Sequence, residues 1–141
     1  MKGGESMAIL RRKLTVALLS LIFLSIGACA GPQNATKVSI VGDNKDPVEV
    51  TADNFNFEPS IIEVKAGDTL FLKITNISSG SHNLTVKDPD GKVIQNVDLP
   101  ENKTTTVELR FKQPGTYEFY CDKPFHKTMG MKGHFEVVAG P

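Results

Sequence analysis

From residue 48 onward, apolar and polar residues alternate with a period of two, in short runs broken by turn residues. Val48, Val50 and Ala52 alternate with Glu49 and Thr51, and Leu70, Leu72 and Ile74 with Phe71, Lys73 and Thr75. The same beat carries Val107, Leu109 and Phe111 through the run 104–111, and Leu84 and Val86 share the parity of His82. This is the pattern of half-buried β-strands. Further strands are expected over 38–41, 61–64, 93–97, 116–120 and 135–138, with turns at 42–47, at Ala66-Gly67-Asp68, at Asp88-Pro89-Asp90-Gly91 and at Pro114-Gly115. No segment holds a helical period of useful length. About seven or eight short strands, punctuated every 8 to 12 residues, predict an all-β Greek-key β-sandwich whose loops gather at its two ends. A sandwich of about a hundred residues buries a core without needing disulfides.

Residues 1–29 have a different character. Lys2, Arg11, Arg12 and Lys13 precede an apolar run from Leu14 to Ile26, which is too short and wrongly flanked for an ordinary membrane span. The run ends Ile26-Gly27-Ala28-Cys29, which resembles the bacterial lipobox. The expectation is a lipoprotein signal peptide with lipidation at Cys29; a plain secretory signal is the alternative. Residues 30–37 then read as a polar tether and 38–141 as the folded domain. Cys29 and Cys121 are the two cysteines, and with the first lipidated neither is left for a disulfide. Formal charge is zero, so no nucleic-acid partner is expected.

The candidate chemistry is concentrated between two expected strands, in Cys121-Asp-Lys-Pro-Phe-His126-Lys-Thr-Met129-Gly-Met131. Thiolate, imidazole and thioether are soft or borderline ligands that suit copper rather than calcium or magnesium. A further ligand must come from elsewhere, and the chain has two other histidines, His82 and His134. His82 opens a strand after a Ser/Gly turn and can face the loop across one end of a sandwich. His134 precedes Phe135, and if Phe135 and Val137 point inward, His134 and Glu136 point to solvent. The site is therefore His82, Cys121 and His126, with a methionine, Met129 or Met131, as a fourth and weaker ligand.

These residues resemble the type 1 blue copper proteins, the cupredoxins. Cys-x4-His-x4-Met closing on Gly-Met-x-Gly is most similar to the rusticyanin pattern, and is shared in part with plastocyanins and azurins. Phe55-Asn-Phe-Glu-Pro-Ser-Ile-Ile-Glu-Val-Lys-Ala-Gly-Asp resembles an earlier stretch of many cupredoxins, so the likeness spans about residues 48 to 139. Ser81 stands before His82, where relatives often have Pro or Gly. The resemblance implies one type 1 copper ion held by His82, Cys121, His126 and axial Met131. It also implies that Asn83 supports the site, its backbone N–H toward the Cys121 sulfur and its side chain tying the two ligand loops together. Met129 would then join Pro124 and Phe125 in an apolar rim around His126, fringed by Lys123, Lys127 and Lys132.

The function expected is single-electron transfer between redox proteins, such as a cytochrome or a copper oxidase or reductase, by a monomer anchored through lipid outside the cytoplasmic membrane. Copper storage, or delivery to an oxidase, is the rival reading. An enzyme with a second copper site needs more histidines than three, and a dinuclear centre needs two cysteines on the loop.

Overall fold

The computed structural model describes residues 36–40 and 46–140. Every described residue belongs to one compact unit, Asn34–Pro141. The signal, the lipobox and Cys29 lie outside the described residues.

Ten strands form two sheets among the described residues. They are β1 (Lys37–Ser39), β2 (Val48–Asp53), β3 (Asn56–Glu58), β4 (Ile61–Lys65), β5 (Thr69–Asn76), β6 (His82–Lys87), β7 (Val93–Leu99), β8 (Thr104–Arg110), β9 (Gly115–Tyr120) and β10 (Lys132–Val138). One sheet has the order β1-β4-β10-β9-β6-β7 and the other β3-β2-β5-β8. Each of the expected runs carries a strand, nine in all and so more than the seven or eight expected. β3 is an additional one, three residues long, and in so short a strand the burial of Phe57 between exposed Asn56 and Glu58 leaves no run of alternation to read.

Period two explains which residues make the core. Val48, Val50, Ala52, Leu70, Leu72, Ile74, Val107 and Leu109 cover the inner face of the smaller sheet, and Ile62, Val64, Leu84, Val86, Tyr117, Phe119, Phe135 and Val137 that of the larger. Four aromatic rings interlock across the middle: Phe57 meets Phe119 edge-on at 5.5 Å, and Phe135 lies 4.8 Å from Phe119 and 5.0 Å from Phe111. Each such ring buried stabilises the fold by roughly 1.5–3 kcal/mol over its exposed state. His134 and Glu136 point outward as expected, paired at 3.5 Å. On the same outer face Glu63 stands directly opposite Glu136 in the β4–β10 register. Lys37 reaches across from β1 and bridges both carboxylates, offsetting a like-charge pair that would otherwise repel.

Candidate metal centre

Three inward rows of the sandwich run on past their strands to the same end. His82 heads the row His82, Leu84, Val86; Cys121 continues Tyr117, Phe119; and Met131 precedes Gly133, Phe135, Val137. All three residues are buried, His82 at 1% exposure and Cys121 and Met131 at 0%. Gly133 is required for this convergence, because a Cβ there would stand 2.4 Å from the Phe119 ring and 2.3 Å from the Ser60 carbonyl oxygen.

The loop between β9 and β10 is closed by its own backbone. Cys121 N–H donates to the Met131 carbonyl at 3.1 Å, and Met131 N–H donates to the His126 carbonyl at 3.0 Å. Turn bonds from His126 N–H to Lys123 O, Met129 N–H to Phe125 O and Gly130 N–H to Lys127 O fill the interior. The expected ligands are thus tied to one another through the chain itself.

Their donor atoms form a triangle. His82 Nδ1 lies 3.2 Å from His126 Nδ1, Cys121 Sγ lies 3.4 Å from His126 Nδ1, and Cys121 Sγ lies 3.9 Å from His82 Nδ1. With bonds of about 2.0 Å to nitrogen and about 2.3 Å to sulfur, a trigonal metal spaces its donors about 3.5–3.8 Å apart. The triangle fits one ion with small adjustments, and no other group of three such side chains is found among the described residues. A thiolate with two imidazoles is the donor set of a type 1 copper site.

The tautomer of His82 is set by residues that sequence reasoning missed. His82 Nε2 lies 2.9 Å from the Ser78 hydroxyl. That hydroxyl has one proton, for which Asn76 Oδ1 at 2.8 Å and the Gly80 carbonyl at 2.9 Å are acceptors, so with Nδ1 turned to the site its oxygen accepts from His82 Nε2–H. Nε2 therefore carries the ring proton and Nδ1 presents its lone pair to the site. Asn76, fully buried, is itself held by the carbonyls of Gly80 and Leu99. Burial, and then the positive charges of His126 and Lys123, lower the His82 pKa below its usual value of 6.5 and keep the ring in its neutral, ligating form. No motif marks Ser78; its place four residues before His82 in a Ser/Gly turn is the only sequence signal.

Asn83 Oδ1 accepts from the Asp122 N–H at 2.9 Å, joining the His82 strand to the Cys121 loop. His126 is half-buried and meets Phe55 edge-on at 4.8 Å, a second contact not foreseen. The two methionines separate cleanly, since Met131 is buried whereas Met129 is 58% exposed. Phe125 is 78% exposed beside exposed Pro124. Of the three fringing lysines, Lys127 is committed to Glu118 at 2.7 Å and to the Tyr120 ring at 4.2 Å.

A Greek-key sandwich with two imidazoles and a thiolate converging at one end defines a type 1 copper electron-transfer protein. The chain belongs to the cupredoxin-like domain family, which matches residues 16–137. It is 33% identical over 99 residues to cytochrome c oxidase subunit 2 of Thermus thermophilus, covering 69% of this chain and 67% of that one. It is 26% identical over 117 residues to chloroplast plastocyanin of Physcomitrium patens, covering 77% and 67%. Among solved structures, dithionite-reduced auracyanin from Roseiflexus castenholzii superposes with a TM-score of 0.60 at 22% identity, over 69% of this chain and 99% of that one; at that identity the likeness speaks for the fold.

Proposed function

We propose that this protein is a lipid-anchored carrier of single electrons between redox partners outside the cytoplasmic membrane, using one copper ion held by His82, Cys121, His126 and, axially, Met131. The observation that carries this reading is the triangle of two Nδ1 atoms and one Sγ, with His82 and Cys121 buried and His126 half-buried in the loop. Bound copper supplies a one-electron couple, and a trigonal set with a weak axial thioether lies between the geometries its two oxidation states favour. The chain's contribution is rigidity. Ser78 fixes the ring of His82, the Cys121–Met131 and Met131–His126 backbone bonds fix the loop, and the core rows behind them leave nothing free to rearrange. Cys121 binds as thiolate, and Met131 is the methionine buried with it.

His126 is the way out for the electron. It is the ligand next to exposed Phe125 and Pro124, whereas His82 is covered. A partner with an apolar docking face, a cytochrome or a copper oxidase or reductase, fits that rim; one relative is an oxidase subunit. We read the protein as a carrier and not an enzyme, because the only histidine outside the site, His134, is on the outer face with Glu136. A monomer suffices, since one chain supplies every ligand.

Anchoring rests on the lipobox-like Ile26-Gly27-Ala28-Cys29. β1 runs parallel to β4, and β4 parallel to β10, which starts next to Met131. β1 therefore begins at the half of the sheet that carries the site.

The test is the visible spectrum of the protein after addition of Cu(II). A strong thiolate-to-copper band near 600 nm, at one copper per chain, is the expected result. A colourless complex, or one that gives copper up readily to a chelator, would favour storage or delivery. In parallel, Cys29→Ser should release the protein from membranes with its colour intact, and persistence in the membrane fraction would remove the anchor reading.

A further inference from the structure

Asp122, bonded to Cys121 and exposed, is held from three sides. Its N–H donates to Asn83 Oδ1 at 2.9 Å. Its Oδ2 accepts from the Thr85 hydroxyl at 3.1 Å and from Asn96 Nδ2 at 3.0 Å. Asn83 Nδ2 closes the ring by donating to Thr85 Oγ1 at 3.1 Å and Asn96 Oδ1 at 3.2 Å. Asn83 and Thr85 are almost fully buried, at 3% and 2% exposure. Two neutral donors orient this carboxylate, and among the described residues no cation forms an ion pair with it.

Lys127 is paired with Glu118. The Asp122 charge is fixed in direction, is not neutralised by an ion pair, and belongs to the residue bonded to Cys121. If the role were only to tie the loop to β6, the backbone N–H to Asn83 would do it with any residue at 122. The side chain adds a second function.

We infer that Asp122 is a positioning residue whose clamped carboxylate sets the redox poise of the site, stabilising the more positive oxidised ion over the reduced one. This rests on the copper reading above. The sign is Coulombic: a fixed negative charge favours whichever state of the site is more positive. Thr85 and Asn96 hold this exposed carboxylate in one orientation beside the loop, so that its screened charge acts from a fixed place.

Asp122→Asn tests this, because the amide oxygen can still accept from Thr85 and Asn96 while the charge is removed. The reduction equilibrium against a dye of known potential should move toward the reduced state by roughly three- to tenfold, the range for one partly screened charge within about two side-chain lengths. The 600 nm band should keep its position, and the apo protein should keep its melting temperature. Asp122→Lys should move the equilibrium further in the same direction, and Asp122→Ser serves if the Asn variant does not fold. Thr85→Val, which keeps the charge but frees it, should shift the equilibrium less than Asp122→Asn and should weaken protection of the Asp122 amide against exchange in the apo protein. An equilibrium unchanged within twofold in Asp122→Asn, with colour retained, overturns the inference and leaves the copper reading standing. Absence of the colour in the unsubstituted protein overturns the copper reading instead.

Discussion

His82 Nε2 and the Ser78 hydroxyl lie 2.9 Å apart, on the opposite side of the ring from Cys121. This contact decides which nitrogen of a buried imidazole faces the metal, and it is made by a residue with no metal-binding chemistry of its own. Removing the hydroxyl leaves Nε2–H without a partner at a buried position, which costs about 1–3 kcal/mol. Ser78→Ala should therefore lower stability by that order in thermal melts of the apo protein. It should also lower copper affinity roughly 10- to 100-fold, as loss of a ligand-orienting partner does elsewhere, read by competition with a chelator. Unchanged affinity would mean that packing alone orients the ring.

The methionines offer a choice between two sulfurs. Met131→Gln should alter the copper spectrum and lower the reduction potential, because an amide oxygen is a harder ligand that favours the oxidised ion. It should also cost about 1–3 kcal/mol in the apo protein, since a polar amide replaces a fully buried thioether. Met129→Gln, at an exposed position, should do neither. The reverse pattern would transfer the axial role to Met129.

Much of this was legible in the chain and some was not, for reasons that differ by residue. The strands followed from alternation because each sheet has one wet face and one dry face, and His82 could be placed on the dry face through Leu84 and Val86. Carrying the Tyr117–Phe119 beat one step further would have placed Cys121 there too, and counting back from Phe135 would have placed Met131; Met129 shares that parity, and only the turn before Gly130 takes it out to solvent. Ser78, Asn76 and Phe55 were invisible because their contacts depend on how loops from different strands meet, which no local period encodes. The bridge from Lys37 to Glu63 and Glu136 was hidden for the same reason, since it spans three strands whose order the sequence does not display.

That bridge has a pH signature. The hydrogen bond from Lys37 holds the Glu136 carboxyl below its ordinary 4.5, and the same bond raises Lys37 above 10.5. A depressed carboxyl stabilises the fold above its unfolded value and loses that contribution as pH falls through the folded one; a raised lysine stabilises below its unfolded value and loses it as pH rises through the folded one. Docking of β1 should thus be constant between about 4.5 and about 10.5 and weaken outside that window. Amide protection at Ile40 and Ile61, whose N–H groups bond across β1 and β4, reports it. In Lys37→Met, the Glu136 carboxyl should titrate at higher pH; an unchanged titration would show that the bridge does not form in solution.

The last expectation concerns Phe125. Its backbone sits at φ 66°, a left-handed conformation that costs a residue with a Cβ about 1–2 kcal/mol. Its ring, 78% exposed, recovers little of that by packing. A bulky apolar side chain kept in a strained, solvated position directly before a metal ligand points to a partner that covers it. Phe125→Gln, which removes the ring without adding a charge, should therefore leave the copper spectrum and potential nearly unchanged. The bimolecular rate with an added cytochrome should fall about tenfold, corresponding to loss of one apolar docking contact worth about 1.4 kcal/mol. Changing His82 should instead disturb the metal itself. The decisive measurement is the pair, spectrum and rate, on the same preparation. If both are unchanged, electrons leave by another face, and the rim around His126 is an ordinary scatter of surface apolar groups.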